Sequence, residues 1–232
     1  MKRPTPLVLG AAALAMLGTA ALGSGPALAA QPASNDKSVQ LEATLTELNG
    51  SGASGTVTAS VKNQKIEFIQ VTAEGLTPDA PHAQHIHYGN DALNECPTIE
   101  LDVDGNGFID TVEGVPAYGP VVVSLNTTGD TTPASFLDVT RFPVSSDGSY
   151  EYFRTNIEFT DVSGTGYAGA GGSAKQIADS IREGEGVVVI HGIDYNSSGG
   201  YDLGERGVSE LTSALPAEAT DPAVCGVLEV KP

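Results

Sequence analysis

Three of the chain's four histidines fall within six positions, in the stretch "PHAQHIHYGND" (residues 81–91). Imidazole nitrogen is a ligand for copper, zinc, iron and nickel, so the spacing decides what these side chains can do together. Residues two apart on a strand project from one face, roughly 6–7 Å apart along the chain. His85 and His87 therefore point the same way, with Ile86 turned to the other side. Two imidazoles converging from one strand is a geometry that copper and zinc sites use. His82 stands three positions before His85, out of phase, and faces away. His191 ends the apolar run "GVVVIHG", where a strand meets a loop. The alternative is a strand decorated with exposed or hydrogen-bonded histidines and no metal.

A second metal chemistry is written in "DVDGNGFIDTVE", residues 102–113, which fits the pattern D-x-[DN]-x-[DN]-G-x5-E. Calcium takes six to eight hard oxygen ligands. Asp102, Asp104 and Asn106 would supply side chains, Phe108 a backbone carbonyl, Asp110 the ninth position and Glu113 two oxygens at the twelfth. Gly107 allows the sharp turn and Ile109 takes the apolar eighth position. Pro97 upstream, and Gly114, Pro116 and Gly119 downstream, speak against a pair of flanking helices, so a true EF-hand is not expected. A candidate second calcium loop, "DYNSSGGYDLGE" (194–205), places Asp194, Asn196, Ser198, Asp202 and Glu205 at positions one, three, five, nine and twelve. Ser198 and Tyr201 depart from the pattern, and an ordinary polar loop fits as well. For the first loop the simpler alternative is an acidic turn built from D-G and N-G.

The elements that would position these groups read as strands. "VQLEATLTEL", "GTVTASVK" and "KIEFIQVTAEGL" alternate apolar and polar residues and are parted by the turn signals "SGASG" and "KNQK". That pattern predicts an antiparallel meander. Further strands are expected at "AQHIHYG", "PVVVSL", "ASFLDVTRF", "YEYFRTNIEF", "GVVVIHG" and "CGVLEV". One short helix is expected over 173–183, with Ser173 as N-cap and Gly184 as stop, after the glycine-rich "SGTGYAGAGG". Many short strands and one helix predict an all-β antiparallel sandwich or barrel with long loops, a single domain over 39–232.

Residues 1–30 read as a secretory signal: Lys2 and Arg3, then an apolar run to about Leu22, then Ala27-Leu28-Ala29 with cleavage near Ala29-Ala30. A polar lead-in, 31–38, follows. The expected location is extracellular, and nothing later is long and apolar enough to anchor the chain in a membrane. With 29 acidic and 11 basic residues, the surface would repel nucleic acid and anionic lipid and concentrate cations. Metal ions are the partners it implies; it names no protein partner. Two cysteines in an oxidising compartment, Cys96 and Cys225, imply one long-range disulfide, the alternative being two unrelated thiols.

"GLTPDAPHAQHIH" resembles the copper strand of Cu/Zn superoxide dismutases, with a Gly-Leu turn and then H-x-x-H-x-H. "VVVIHG" is similar to the strand whose last histidine is another copper ligand, and "VCGVLEV" to the last strand, whose cysteine closes a disulfide. The motifs run in the family's order from about Leu41 to Val230. The resemblance implies a Greek-key barrel, copper at His85, His87 and His191, a structural part for His82, and a Cys96–Cys225 bridge. The departures are equally specific. No histidine lies between His87 and His191, so the imidazole that bridges copper to zinc is absent and zinc is not expected. Where the family carries an arginine, three residues before the last cysteine, this chain has Pro222. A weaker resemblance, in "AQHIHYG" followed by "GPVVVSL", is to the chordin-type (CHRD) module, which implies binding without chemistry. Two functions stay open on these residues. One is a secreted, calcium-stabilised metal-binding domain that keeps a three-histidine copper site without fast dismutation. The other is an active copper-only superoxide dismutase.

Overall fold

Alternation along the first strands is reproduced side chain by side chain. In β1 (Val39–Glu47), Leu41, Ala43 and Leu45 are buried while Gln40, Glu42 and Thr44 are exposed. β1 pairs along most of its length with β2 (Ser54–Lys62), and β2 with β3 (Lys65–Glu74). The β2–β3 connection is tight: Lys62 pairs with Lys65, and Asn63 takes the left-handed φ of 54° such a turn needs. The computed structural model describes residues 37–164 and 169–232. The signal sequence, most of the lead-in and residues 165–168 of the glycine-rich loop lie outside the described residues.

β4 (Gln84–His87), β5 (Val121–Ser124), β6 (Tyr150–Glu158), β7 (Val187–His191), β8 (Pro222–Val227) and the short β9 (Glu229–Val230) complete the sheet. The hydrogen-bonded order is β5-β4-β7-β8-β1-β2-β3-β6, all antiparallel, with β9 added to β1. β3 and β4 follow each other in the chain yet lie far apart in this order, because β3 takes β6 as its neighbour and β4 takes β7. These are Greek-key crossings, and the expected all-β antiparallel fold is what the chain forms. The far end of β1 is the seam between the halves, where Thr46 pairs with Cys225 and Glu47 with Val224. Inside the curl lies the main core, including Leu41, Leu45, Val57, Ile66, Ile69, Ile86, Val188 and Ile190. α2 (Ala174–Glu183) closes against it through Ile177, Ala178 and Ile181. Its ends are as the sequence implies: Ser173 and Gln176 form a capping box, and Gly184 terminates it at φ 96°. No helix among the described residues is long and apolar enough to cross a membrane.

Two expectations fail. Residues 111–118, expected as irregular chain, form a second helix, α1 (Thr111–Tyr118), with Pro116 inside it. A proline six residues in forfeits one hydrogen bond, and the capping box made by Asp110 and Glu113 offsets that loss. Gly114 leaves room for the Tyr118 ring, whose hydroxyl donates to the Thr111 carbonyl at 2.6 Å. Only a short 3-10 turn, Ile99–Leu101, precedes the acidic loop, so the helix pair of an EF-hand is not formed. The strand expected over "ASFLDVTRF" is replaced by two 3-10 turns, Pro133–Ser135 and Val139–Arg141. There Asp138 accepts from Thr140 and Arg141, and Asp130 from Thr132 and Arg141. Local polar bonds of this kind compete with a ladder.

Candidate metal centre

β4 turns Ile86 into the core and His85 and His87 outward, onto the face that α1 covers. On that face Val115 and Tyr118 of α1 pack with Val187, Val189 and Cys225 as a second small core. β7 is paired with β4, and its backbone slips register against β8 between Ile190 and His191. By strand alternation His191 shares the face of Val187 and Val189, which pair with His87 and His85, and its N–H donates to the Ala83 carbonyl. The three rings stand 5.3 to 6.2 Å apart between centroids, and one nitrogen of each lies within 4.8 Å of the others.

The second nitrogen of each ring is committed. Nε2 of His85 is 3.0 Å from the Phe136 carbonyl, Nδ1 of His87 is 2.9 Å from Gly119, and Nδ1 of His191 is 2.6 Å from Thr220. A carbonyl only accepts, so the facing nitrogen must carry the hydrogen and its partner keeps the lone pair. Those partners, His85 Nδ1, His87 Nε2 and His191 Nε2, are buried and have no hydrogen-bond partner among the described residues. Burial also keeps the rings neutral. It pushes His87 down to about 3 and His191 to about 4, and it holds His85 well below the usual histidine range, with the neighbouring imidazoles adding to the effect. Three neutral imidazoles, oriented by carbonyls and turning lone pairs toward one point, fit a divalent transition metal.

α1 supplies part of that orientation from both ends. Its C-cap residue is Gly119, whose carbonyl receives His87. A Cβ at Gly119 would lie 2.6 Å from the Gly89 nitrogen, so only glycine lets the chain pass so close to β4. At the other end the Thr111 hydroxyl donates to the Thr220 carbonyl that also accepts from His191. The Tyr118 ring lies tilted beside His87 with centroids 4.4 Å apart, and Phe142 and His85 meet edge-on at 5.4 Å.

His82 stands outside this group. Fully buried, it places Nδ1 2.9 Å from the His191 carbonyl and Nε2 3.0 Å from that of Thr77, with the Tyr201 ring set edge-on. The Cys96–Cys225 disulfide is formed and ties the segment before α1 to β8.

In the first acidic loop, carboxylate oxygens of Asp102, Asp104 and Glu113 lie within 4.8 Å of one another. Asp102 accepts from the amides of Gly105, Asn106 and Gly107, and Glu113 from Val103 and Asp104. Asp110 is outside the group and caps α1; the Asn106 side-chain oxygen accepts from the Phe108 amide. The Phe108 ring meets Tyr195 edge-on at 4.8 Å and lies 4.5 Å under the Arg206 guanidinium. In the second loop Asp194 accepts from Ser198 and Gly199, Asn196 donates to Asp202, and Glu205 is exposed. Among the described residues, Asp194, Asp202 and Glu205 do not gather as the first loop's carboxylates do.

Sequence reasoning missed Arg206 and Asp221, a buried ion pair at 3.1 Å that Tyr195 joins through its hydroxyl. "LPAEATDP" has no periodicity that would single out Asp221. It also missed the cavity of about 380 Å³ that opens onto His85, His87 and His191. Among the described residues no lysine or arginine lines that cavity, and Pro222 opens β8 opposite His191.

No family model matches the chain, and neither does any curated protein sequence. Among solved structures it is similar to Candida albicans superoxide dismutase 5 in its Cu(II) form, with 13% sequence identity and a TM-score of 0.39. That match covers 84% of this chain and 94% of the other. A single-residue mutant of the same Candida enzyme matches at 13% identity and a TM-score of 0.36, covering 84% and 93%.

Proposed function

We propose that this chain is a secreted metal-binding β-barrel domain that holds copper through His85, His87 and His191, with calcium bracing the loop at 102–113. The observation that carries the copper reading is the set of three buried, unpartnered ring nitrogens facing one another. A buried acceptor without a partner costs on the order of 1–3 kcal/mol, so three in one place need a ligand to explain them. Copper bound there would supply one-electron redox chemistry. The chain's own residues set the tautomers and fix the ring planes through the carbonyls of Phe136, Gly119 and Thr220. Calcium is supported by the gathering of Asp102, Asp104 and Glu113 in a loop of the right spacing.

The second reading, a copper-only superoxide dismutase, is favoured by the cavity, which leaves the metal position open to a small molecule. Against rapid turnover stand the lack of any basic side chain among the described residues of the cavity wall and the excess of 29 acidic over 11 basic residues. An anion would approach without steering, far below the diffusion ceiling of about 10⁹ M⁻¹s⁻¹.

Metal analysis tests the copper site that both readings share, and a dismutation assay decides between them. Protein purified without chelator should take up one equivalent of copper, and His85→Ala/His87→Ala should take up none. Copper retained by the double variant would place the site elsewhere. Dismutation near the diffusion ceiling by the copper-loaded protein would establish the second reading instead.

A further inference from the structure

The cavity over the histidines has chemistry of its own. Its floor is three imidazole lone pairs with Thr111 and Thr220 beside them. Its walls are apolar, built from Val115 on α1 and from Phe136, Leu137, Leu211 and Leu215 on two surface loops. The last four are half-buried, so their apolar surface faces the opening rather than the core. Apolar side chains around a few convergent polar atoms are the usual make-up of a small-molecule site. An engineered cavity of about 150 Å³ holds benzene. At about 380 Å³ this one has room for a two-ring molecule.

We infer that this cavity binds a neutral aryl alcohol or phenol, rings between the apolar walls and hydroxyl directed at the imidazoles. Every orphaned floor atom is an acceptor, so a ligand reaching it must bring a donor. A hydroxyl donates to a ring nitrogen in the metal-free protein, and its oxygen can approach a metal ion when one is bound. An anion is disfavoured twice, by the three lone pairs and by a wall whose described residues include no lysine or arginine. A purely apolar molecule would leave the lone pairs as unpartnered as they are now. The inference names the ligand class for the site proposed above and rests on that reading only for the ion at the floor.

The test is fluorescence titration of the whole metal-free protein with 2-naphthol, naphthalene and 2-naphthoate. 2-Naphthol should bind at least tenfold more tightly than either of the others. Leu211→Asp and Leu215→Asp, at two positions that line the cavity, should each weaken it at least tenfold, while Leu215→Met keeps it. Equal affinity for naphthalene or for 2-naphthoate, or 2-naphthol binding unchanged in either aspartate variant, overturns the inference. A protein that takes up copper but not 2-naphthol overturns it and leaves the copper reading intact. One that binds 2-naphthol and refuses copper does the reverse.

Discussion

At the scale of single residues, the pair His85 and His87 is legible because period two is a property of the strand itself. Their carbonyl partners are not, since the oxygens of Phe136, Gly119 and Thr220 carry no residue-type signature. The same blindness hides Asp221. It is fully buried and meets Arg206, whose side chain is 9% exposed, while Tyr195 donates to the same carboxylate oxygen. One residue earlier, the Thr220 carbonyl orients His191, so the pair fixes the backbone that holds a metal-facing ring. Removing one partner of a buried pair strands the other charge, at a cost of roughly 3–5 kcal/mol. Asp221→Ala should therefore lower unfolding free energy by about that amount in a denaturant melt. A loss under about 1 kcal/mol would mean that Arg206 reaches water without it.

At the scale of elements, α1 is where sequence reasoning and structure part. Gly114, Pro116 and Gly119 each argue against a helix, and each has a use that only tertiary contact reveals. Gly114 admits the Tyr118 ring, and Gly119 admits the chain past Gly89. The helix starts because Asp110 and Glu113 cap it, the same carboxylates that the loop pattern assigns to calcium. The strands β1 to β3 were legible because one face is buried and the other wet. The false strand at 134–142 arose because its apolar residues line a cavity rather than a sheet face. Since α1 touches His87 through Gly119 and His191 through Thr111 and Thr220, its cap should matter at the metal. Asp110→Ala should cost about 1 kcal/mol of stability, the usual worth of an N-cap, and also weaken copper binding in a competitive titration. Lower stability with unchanged copper affinity would reduce α1 to a cover.

At the scale of the whole molecule, 29 acidic residues against 11 basic make the folded state a crowd of like charges, and the loop at 102–113 gathers three of the carboxylates within 4.8 Å of one another. The disulfide between Cys96 and Cys225, 129 residues apart in sequence, enters just before that loop and ties it to β8. From there the connection runs through the loop to α1 and on to the histidine carbonyls. A divalent ion held by Asp102, Asp104 and Glu113 would relieve repulsion and bind the folded state only, adding RT ln(1 + [L]/Kd) to stability. With calcium at 100 times Kd that is about 2.7 kcal/mol. At roughly 2–4 °C per kcal/mol for a chain of this size, the melting temperature should rise by roughly 5–10 °C. Glu113→Ala lowers the starting stability by uncapping α1, so the informative quantity is the difference between calcium and chelator, which should nearly vanish in that variant. Glu205→Ala, on the exposed second loop, should leave the difference as it is in the native chain. Identical melting of the native protein in millimolar calcium and in chelator would reduce residues 102–113 to an acidic turn that caps a helix.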